Sequence, residues 1–331
     1  MRSVIIDSDW GGDVMQLASI LLSRPTEYEL LGATVTFGNA THNQNLDNAG
    51  AMLRFLGMDS QISRYPGALA PSGKEFQPEG DEAHGRTGLG DAVLPLSSYL
   101  PEEQSTVDFL LERLEQEIED SITLIATGPQ TNVAEAIRQA PETMARLKEI
   151  RIMGGCIDPM QGYRVDENLK RTSEKPIARK GNITETAEFN FQQAPHDAKV
   201  VLESGIPIAL FPMDCTHQLT FTEERANRLK DTLSSEPEKL QQLLDLLQAP
   251  EAMDQAKFGI NSVMHDVHTT VSMVAPELYL GRHGTVSIEE DGEVNFSPEA
   301  GGRHWACERI TNPDAVFEIL LASLEALLIE K

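Results

Sequence analysis

Short runs of β-branched residues alternate with longer helical patterns along most of this 331-residue chain. We expect strands at 3–7, 30–37, 122–126, 149–153 and 206–211, and helices at 15–22, 45–56, 104–117, 132–139, 222–247 and 313–329. Such alternation is typical of parallel strands joined by helical crossovers. The sequence therefore predicts an α/β protein with an open, mostly parallel sheet and helices on both faces. Because no repeat or linker interrupts the pattern, we expect one domain over residues 1–331.

The chain is strongly acidic, with 52 acidic against 27 basic residues and a formal net charge of -25. This charge repels phosphate backbones and anionic lipid, so neither nucleic acid nor a membrane is expected as a partner. The chain enters a strand directly after Met1 and holds no apolar run of about 18 residues, from which we expect a cytoplasmic location. The cysteines lack paired spacing and are expected to be reduced residues in or near the core: Cys156, Cys215 and Cys307.

Two carboxylates follow the first predicted strand. Asp7 and Asp9 are two residues apart, so on an extended segment they project to the same side, and Gly11 and Gly12 allow a tight turn behind them. Such a pair is costly unless a cation or hydrogen-bond donors compensate its charge. The motif is compatible with a metal-dependent hydrolase, with a phosphatase of the haloacid dehalogenase type, or with a capped loop without function.

Polar residues also follow two further predicted strands, at the sheet edge where open α/β proteins bind ligands. Asn39 ends the run Thr36-Phe37-Gly38-Asn39 and is placed either to orient the Asp pair or to form a turn. Thr127 ends another strand, where its carbonyl oxygen is free to bind a hard cation. The neighbouring Thr131 and Asn132 are accounted for by capping of the next helix.

Two later stretches combine acids with other polar groups. Glu188 and Asn190 show the same two-residue spacing, with Phe189 directed to the opposite side, and a carboxylate beside an amide suits the vicinal hydroxyls of a sugar. An exposed strand edge would show the same pattern. His265 and Asp266 precede an apolar helical run, where the helix dipole favours the acid and the imidazole suits proton transfer, although such pairs also cap helices.

One segment interrupts the regular alternation. The 24 residues between Cys156 and Gly181 are rich in charge and lack periodicity. A loop of that length in a compact domain is usually a lid, a partner surface or disordered. We therefore regard the region near 157–180 as a loop insertion.

In this order, and over most of the chain, these stretches resemble the inosine-uridine-preferring nucleoside hydrolase family. The loop at 84–90, the Met153-Gly154-Gly155 turn and the stretch at 212–217 agree with it. The resemblance implies a Rossmann-like α/β hydrolase that binds Ca²⁺ and cleaves the N-glycosidic bond of ribonucleosides. It further implies that the ligand is a small nucleoside or sugar and that the protein forms homodimers or homotetramers.

The resemblance also implies residue roles. Asp9 would bind the metal and act as general base, with Asn39 aligning it; Thr127 would give its carbonyl and Asp266 its carboxylate to the metal; Asp7 would lie just behind these ligands. His265 would face the leaving base, and the loop containing His84 and Arg86 would form the mouth with the 157–180 segment. The implied ribose contacts are Asp13, Met153, Asn182, Glu188 and Asn190.

The chain departs from the family in the first motif, where two adjacent acids normally follow the turn. In an ungapped comparison Asp13 supplies the first acid and Val14 replaces the second. In a longer register, which we favour because Leu17 to Leu21 then falls naturally on the apolar helix, Met15 and Gln16 occupy the paired positions. Either way a metal carboxylate is missing, which predicts a weakened Ca²⁺ site. The missing carboxylate is compatible with a weakened nucleoside hydrolase, with a hydrolase of a different glycoside, or with a sugar- or nucleoside-binding protein without turnover.

Overall fold

A nine-stranded sheet forms the centre of the computed structural model, which describes residues 1–77, 81–157 and 181–329. The strands are β1 (Arg2–Ser8), β2 (Tyr28–Val35), β3 (Arg64–Pro66), β4 (Ile122–Ala126), β5 (Glu149–Met153), β6 (Ile208–Phe211), β7 (Tyr279–Ile288), β8 (Val294–Pro298) and β9 (His304–Ile310). Their spatial order is β3-β2-β1-β4-β5-β6-β9-β7-β8. All pairings from β3 to β9 are parallel, and β7 pairs antiparallel with β9 and with β8. The predicted mostly parallel sheet is confirmed.

Helices connect the strands. They are α1 (Val14–Leu22), α2 (His42–Phe55), α3 (Asp81–His84), α4 (Thr106–Gln116), α5 (Thr131–Gln139), α6 (Pro141–Met144), α7 (Phe189–Gln193), α8 (Pro195–Glu203), α9 (Met213–Thr216), α10 (Glu223–Thr232), α11 (Pro237–Gln248), α12 (Glu251–Phe258), α13 (Val267–Val274) and α14 (Pro313–Leu328), with a 3₁₀ turn at Pro276–Leu278. No helix among the described residues is long and apolar enough to cross a membrane.

Successive side chains of the central strand serve opposite faces of the sheet. Val4 and Ile6 of β1 belong to one apolar cluster, with α1, α13 and α14, whereas Ile5 belongs to a second cluster, with α4, α5 and α8. This alternation follows from the two-residue period of a strand. Because apolar side chains leave both faces, helices must cover both, as the alternating pattern predicts.

The chain reverses direction across the sheet at β1, which lies between β2 and β4. Connections on either side of such a switch point leave in opposite directions, which opens a crevice at the carboxyl ends of the strands. Asp7 and Ser8 end β1, and Thr127 directly follows β4. The sheet order therefore places the predicted strand-end residues around one crevice.

Two parts of the pattern differ from expectation. The predicted helix at 222–247 is two helices, because Pro237 lacks an N–H donor and its ring clashes with a preceding turn, so it can only start a new helix. Sequence reasoning did not predict β3, β7, β8 and β9. β3 and β8 are short and contain proline, glycines interrupt β7, and charged residues interrupt β9. Most of the insertion near 157–180 lies outside the described residues. The three cysteines are free and buried, as predicted.

Candidate active site

A pocket opens in this crevice and brings together ten of the twelve residues singled out from the sequence. They are Asp13, Asn39, His84, Thr127, Met153, Asn182, Glu188, Asn190, His265 and Asp266. The other two are Asp7, near the end of β1, and Asp9, just after it, and neither is among the residues that line the cavity. The pocket therefore joins residues that are more than 250 positions apart in the chain.

Asp9 is fully buried and held by Asn39, in the loop that follows β2. The backbone N–H of Asn39 donates to Asp9 Oδ2 at 2.8 Å, and Asn39 Nδ2 donates to Oδ1 at 3.2 Å. Gly38 permits this contact, because a side chain there would clash with the Asp9 carboxylate and its φ of +151° disfavours other residues. Asn39 thus orients Asp9, the arrangement expected from the sequence.

The charge of Asp9 is poorly compensated in the ligand-free pocket. Burial raises its pKa from 3.8 to about 8; hydrogen bonding by Asn39 opposes the rise, and repulsion from Glu188 and Asp13 adds to it. A nearby positive charge would lower this pKa and stabilise the ionised carboxylate. The same holds for its acidic neighbours.

Asp13 and Asp266 complete an acidic floor. Asp13 precedes α1, accepts a 3.0 Å hydrogen bond from Gln16 Nε2, and has a pKa raised to about 7 by burial and by Asp254. Asp266 precedes α13, and burial followed by repulsion from Asp13 and Asp9 raises its pKa. Three buried acids thus repel one another in one place, which costs free energy until a cation or cationic ligand arrives.

Asp7 is held inside the sheet. Its Oδ1 accepts hydrogen bonds from Thr34 Oγ1 at 2.6 Å and from Asn132 Nδ2 at 2.8 Å. Burial raises its pKa to about 6, and the two hydrogen bonds oppose that rise. These contacts tie the end of β1 to β2 and α5. Asn132 thus has a role beyond the helix cap that its sequence position suggests.

The sugar-contact pair is built differently from the expectation. Glu188 and Asn190 do not lie on a strand: Glu188 is the N-cap of α7, and Asn190 lies in its first turn. The prediction that Phe189 faces the opposite way is wrong, because Phe189 also lines the pocket. The reason is that Glu188 satisfies the free N–H groups at the helix start, which a period-two reading does not anticipate.

Both oxygens of Glu188 accept backbone hydrogen bonds. Oε1 accepts from Asn190 N at 2.9 Å, and Oε2 accepts from Gly155 N at 2.8 Å and from Phe191 N at 3.2 Å. Asn190 Nδ2 donates to the carbonyls of Thr127 at 3.3 Å and Met153 at 3.2 Å. These bonds fix both side chains against the ends of β4 and β5.

Histidines line another part of the pocket. His265 lies 5.7 Å, ring centre to ring centre, from His217, which sequence reasoning noted only within a matching motif. Burial lowers the pKa of His84 to about 4 and that of His217 to about 4, and it also lowers the pKa of His265. These rings are therefore neutral at pH 7.

Helix α12 contributes pocket residues that were not selected from the sequence. Met253 and Lys257 line the pocket, and Lys257 Nζ donates to the Asn182 carbonyl at 2.8 Å and pairs with Glu82 at 3.1 Å. Lys257 is the one basic side chain among the described lining residues. Its contacts join α12, α3 and the segment before α7 at the mouth.

The candidates for the missing carboxylate lie elsewhere. Val14 and Met15 belong to the apolar core, and Gln16 lines, with Met15, a narrow apolar cavity among the leucines of α11 and α14. Helix α1 begins directly after Asp13, so Met15 packs in the apolar core, and Gln16 contacts the acids only as a hydrogen-bond donor to Asp13. This placement favours the ungapped register over the longer one.

The remaining donors are compatible with a hard cation in kind. Asp9 and Asp266 offer carboxylate oxygens, and Thr127 offers a carbonyl oxygen that also accepts a hydrogen bond from Asn190. Hard divalent ions bind oxygens of these kinds. Within the described ranges, however, no three His, Cys, Asp or Glu side chains approach closely enough to form a metal-binding group. Buried Val14 offers no donor, and the Asp13 carboxylate is engaged by Gln16. The donor set therefore fits a cation with fewer charged ligands than the family pattern implies.

Known proteins share both this sequence pattern and this fold. An uncharacterized protein of Schizosaccharomyces pombe is 33% identical over 295 residues, covering 88% of this chain and 86% of the relative. The pyrimidine-specific ribonucleoside hydrolase RihA of Shewanella woodyi is 30% identical over 319 residues, covering 96% and 94%. The purine-preferring ribonucleoside hydrolase from Gardnerella vaginalis superposes with a TM-score of 0.83 at 24% identity, covering 99% of both chains, which shows a common fold.

The family model described as inosine-uridine preferring nucleoside hydrolase matches residues 4–310, which include every lining residue of the pocket. This match spans nearly the whole chain, as the sequence resemblance implied. The chain therefore belongs to the inosine-uridine preferring nucleoside hydrolase family, whose enzymes are glycosidases acting on N-ribosyl bonds.

Proposed function

We propose that this pocket hydrolyses the N-glycosidic bond of ribonucleosides, with Asp9 as the general base. The observation that carries the proposal is the burial of three mutually repelling carboxylates, Asp9, Asp13 and Asp266, beside the fixed pair Glu188 and Asn190. Glycosidic cleavage develops positive charge on the sugar in an oxocarbenium-like transition state. An acidic pocket stabilises that charge more than it stabilises the neutral substrate, and this difference is what lowers the barrier.

The residues around the pocket have distinct roles in this proposal. Asn39 orients the carboxylate of Asp9, which takes a proton from the attacking water. Glu188 and Asn190 position the ribose hydroxyls, because both side chains are already fixed and need little further ordering on binding. His265 lies towards the leaving base. Family relatives named as pyrimidine-specific and as purine-preferring leave the preferred base to be measured.

The cofactor in this proposal is Ca²⁺, held weakly by Asp9, Asp266 and the Thr127 carbonyl. When bound, a divalent cation supplies positive charge that keeps the carboxylates ionised and acts as a Lewis acid towards water. Calcium affinity depends on the number of charged oxygens, so Val14 in place of an acid reduces it. With the acid cluster less fully compensated, turnover of ordinary nucleosides is expected to be slow and the preferred glycoside to differ.

The alternative function is a sugar- or nucleoside-binding protein without turnover on the same scaffold. The observation that favours it is the buried Val14, which leaves the cation site short of a charged ligand. Binding needs only the fixed contacts of Glu188 and Asn190, whereas hydrolysis also needs an ionised Asp9.

Calorimetry with calcium and hydrolysis assays on inosine, uridine and cytidine separate the two. We expect weak calcium binding and measurable ribose release that Asp9→Ala abolishes while the fold is retained. Nucleoside binding with no ribose release, at any calcium concentration, would support the binding protein. Neither binding nor release from any nucleoside would refute both.

A further inference from the structure

The ring of His265 is held from behind by a threonine that does not line the pocket. Thr216 is the last residue of α9 and fully buried, and its Oγ1 lies 2.8 Å from His265 Nδ1. His265 itself lines the pocket. Since Nδ1 is directed to Thr216, the other ring nitrogen, Nε2, is left for the pocket side.

The direction of this hydrogen bond follows from the partners available to Thr216. In the part of the chain that the structure describes, Oγ1 makes no second hydrogen bond. One turn back, the Pro212 carbonyl accepts the N–H of Thr216 at 3.0 Å, and no hydrogen bond joins this carbonyl to the Thr216 hydroxyl. If the hydroxyl accepted a hydrogen bond from Nδ1, its own O–H would be buried without an acceptor, which is unfavourable. If it donates, only a lone pair stays unused.

A donating hydroxyl decides which nitrogen carries the imidazole proton. A neutral histidine has one N–H, and a nitrogen that accepts a hydrogen bond cannot carry it. The proton is then on Nε2. The pocket receives an N–H donor at this position instead of a lone pair.

We propose that Thr216 is a positioning residue that fixes His265 as the Nε2–H tautomer, so that a neutral donor faces the leaving group. This rests on the proposed function, in which His265 lies towards the departing base. As the N-glycosidic bond breaks, its electron pair moves onto the base, and a donor stabilises that negative charge whereas a lone pair would repel it. Thr216 acts only through the ring of His265.

The first test reads the tautomer directly and needs no activity. Protein labelled with ¹⁵N-histidine is examined at pH 8, where an ordinary histidine is neutral, by two-bond ¹H–¹⁵N correlation, and His265→Gln identifies the His265 signals. We expect protonated Nε2 and a hydrogen-bonded Nδ1 in the wild type. Thr216→Val should move the Nδ1 resonance to that of a free lone pair, and Thr216→Ser should keep the wild-type signal. Protonated Nδ1 in the wild type, or an unchanged Nδ1 resonance in Thr216→Val, overturns the proposal.

The second test uses the rate of nucleoside hydrolysis. Thr216→Val should lower kcat about tenfold with little change in KM, because the His265 ring keeps its donor but loses the one hydrogen bond that fixes its tautomer. Thr216→Ser should recover most of that rate, which a purely steric role of the threonine methyl would not allow. Equal losses in both variants contradict the proposal. If the wild type hydrolyses no nucleoside, the proposed function fails, while the tautomer signals still decide the role of Thr216.

Discussion

Replacing Asp9 by asparagine removes a buried carboxyl group whose ionised form the surrounding residues compensate poorly. Burial raises the Asp9 pKa from 3.8 to about 8. Between those two values the folded protein holds a proton that the unfolded chain releases, so the folded state loses stability as pH rises through this window. Asp9→Asn removes this pH-dependent penalty. In the presence of a chelator we therefore expect the variant to be more stable than the wild type.

The size of the effect follows from the same shift. Each pH unit above 3.8 costs the wild type about 1.4 kcal/mol, which is about 4 kcal/mol at pH 7 and about 1.5 kcal/mol at pH 5. Asparagine has a single acceptor oxygen, so one of the two hydrogen bonds from Asn39 is lost, at about 1 kcal/mol. The net gain is about 3 kcal/mol at pH 7, and it nearly vanishes at pH 5.

Urea unfolding in a chelator at pH 5 and pH 7 measures this difference. Asp197→Asn is the matched control, because Asp197 is equally buried but is paired with Arg138 Nη2 at 2.7 Å, and its pKa is lowered. Asp197→Asn should destabilise the protein at both pH values, since the lowered pKa makes the charged form the favoured one there. The reasoning is refuted if Asp9→Asn gains no stability at pH 7, or if its gain is the same at both pH values.

Val14→Asp should raise calcium affinity measured by calorimetry. Gln16→Asp should raise it less, because Gln16 packs beside the α11 and α14 leucines and an acid there would lose the hydrogen bond to Asp13 and repel its carboxylate; the reverse order would restore the longer register. Glu188→Gln should lower the free energy of unfolding by about 1–3 kcal/mol and raise KM, because an amide cannot replace all three backbone contacts of the carboxylate. An unchanged urea midpoint and KM would contradict that role. Lys257→Met should cost under about 1 kcal/mol, since its partner Glu82 is 75% exposed, yet alter KM at the mouth; a large stability loss with unchanged KM would contradict this.

The strand-end acids show how far local pattern reaches. Asp7, Asp9 and Thr127 were selected because polar residues directly follow apolar strands, and the sheet order then brought them to one crevice. This step works because parallel strands share a carboxyl edge, whatever their order. The pattern could not show which side chain reaches the crevice. Asp7 forms its hydrogen bonds within the sheet, although it is only two residues from Asp9.

Where a site depends on packing between distant helices, the sequence pattern was insufficient. The two-residue spacing of Glu188 and Asn190 is the same on a strand and at a helix cap, and only the free N–H groups of α7 decide between them. Similarly, nothing local to 251–258 indicates that Met253 and Lys257 reach the pocket.

The sequence by itself determined the alternation of strands and helices, the acidic strand ends and the family, because local periodicity or a contiguous motif indicates each of them. The tertiary structure alone decided that Gln16 bonds to Asp13, that α12 lies at the mouth, and that Thr216 lies behind His265. Those contacts join residues far apart in the chain, and they are set by how whole elements pack, which no local pattern records.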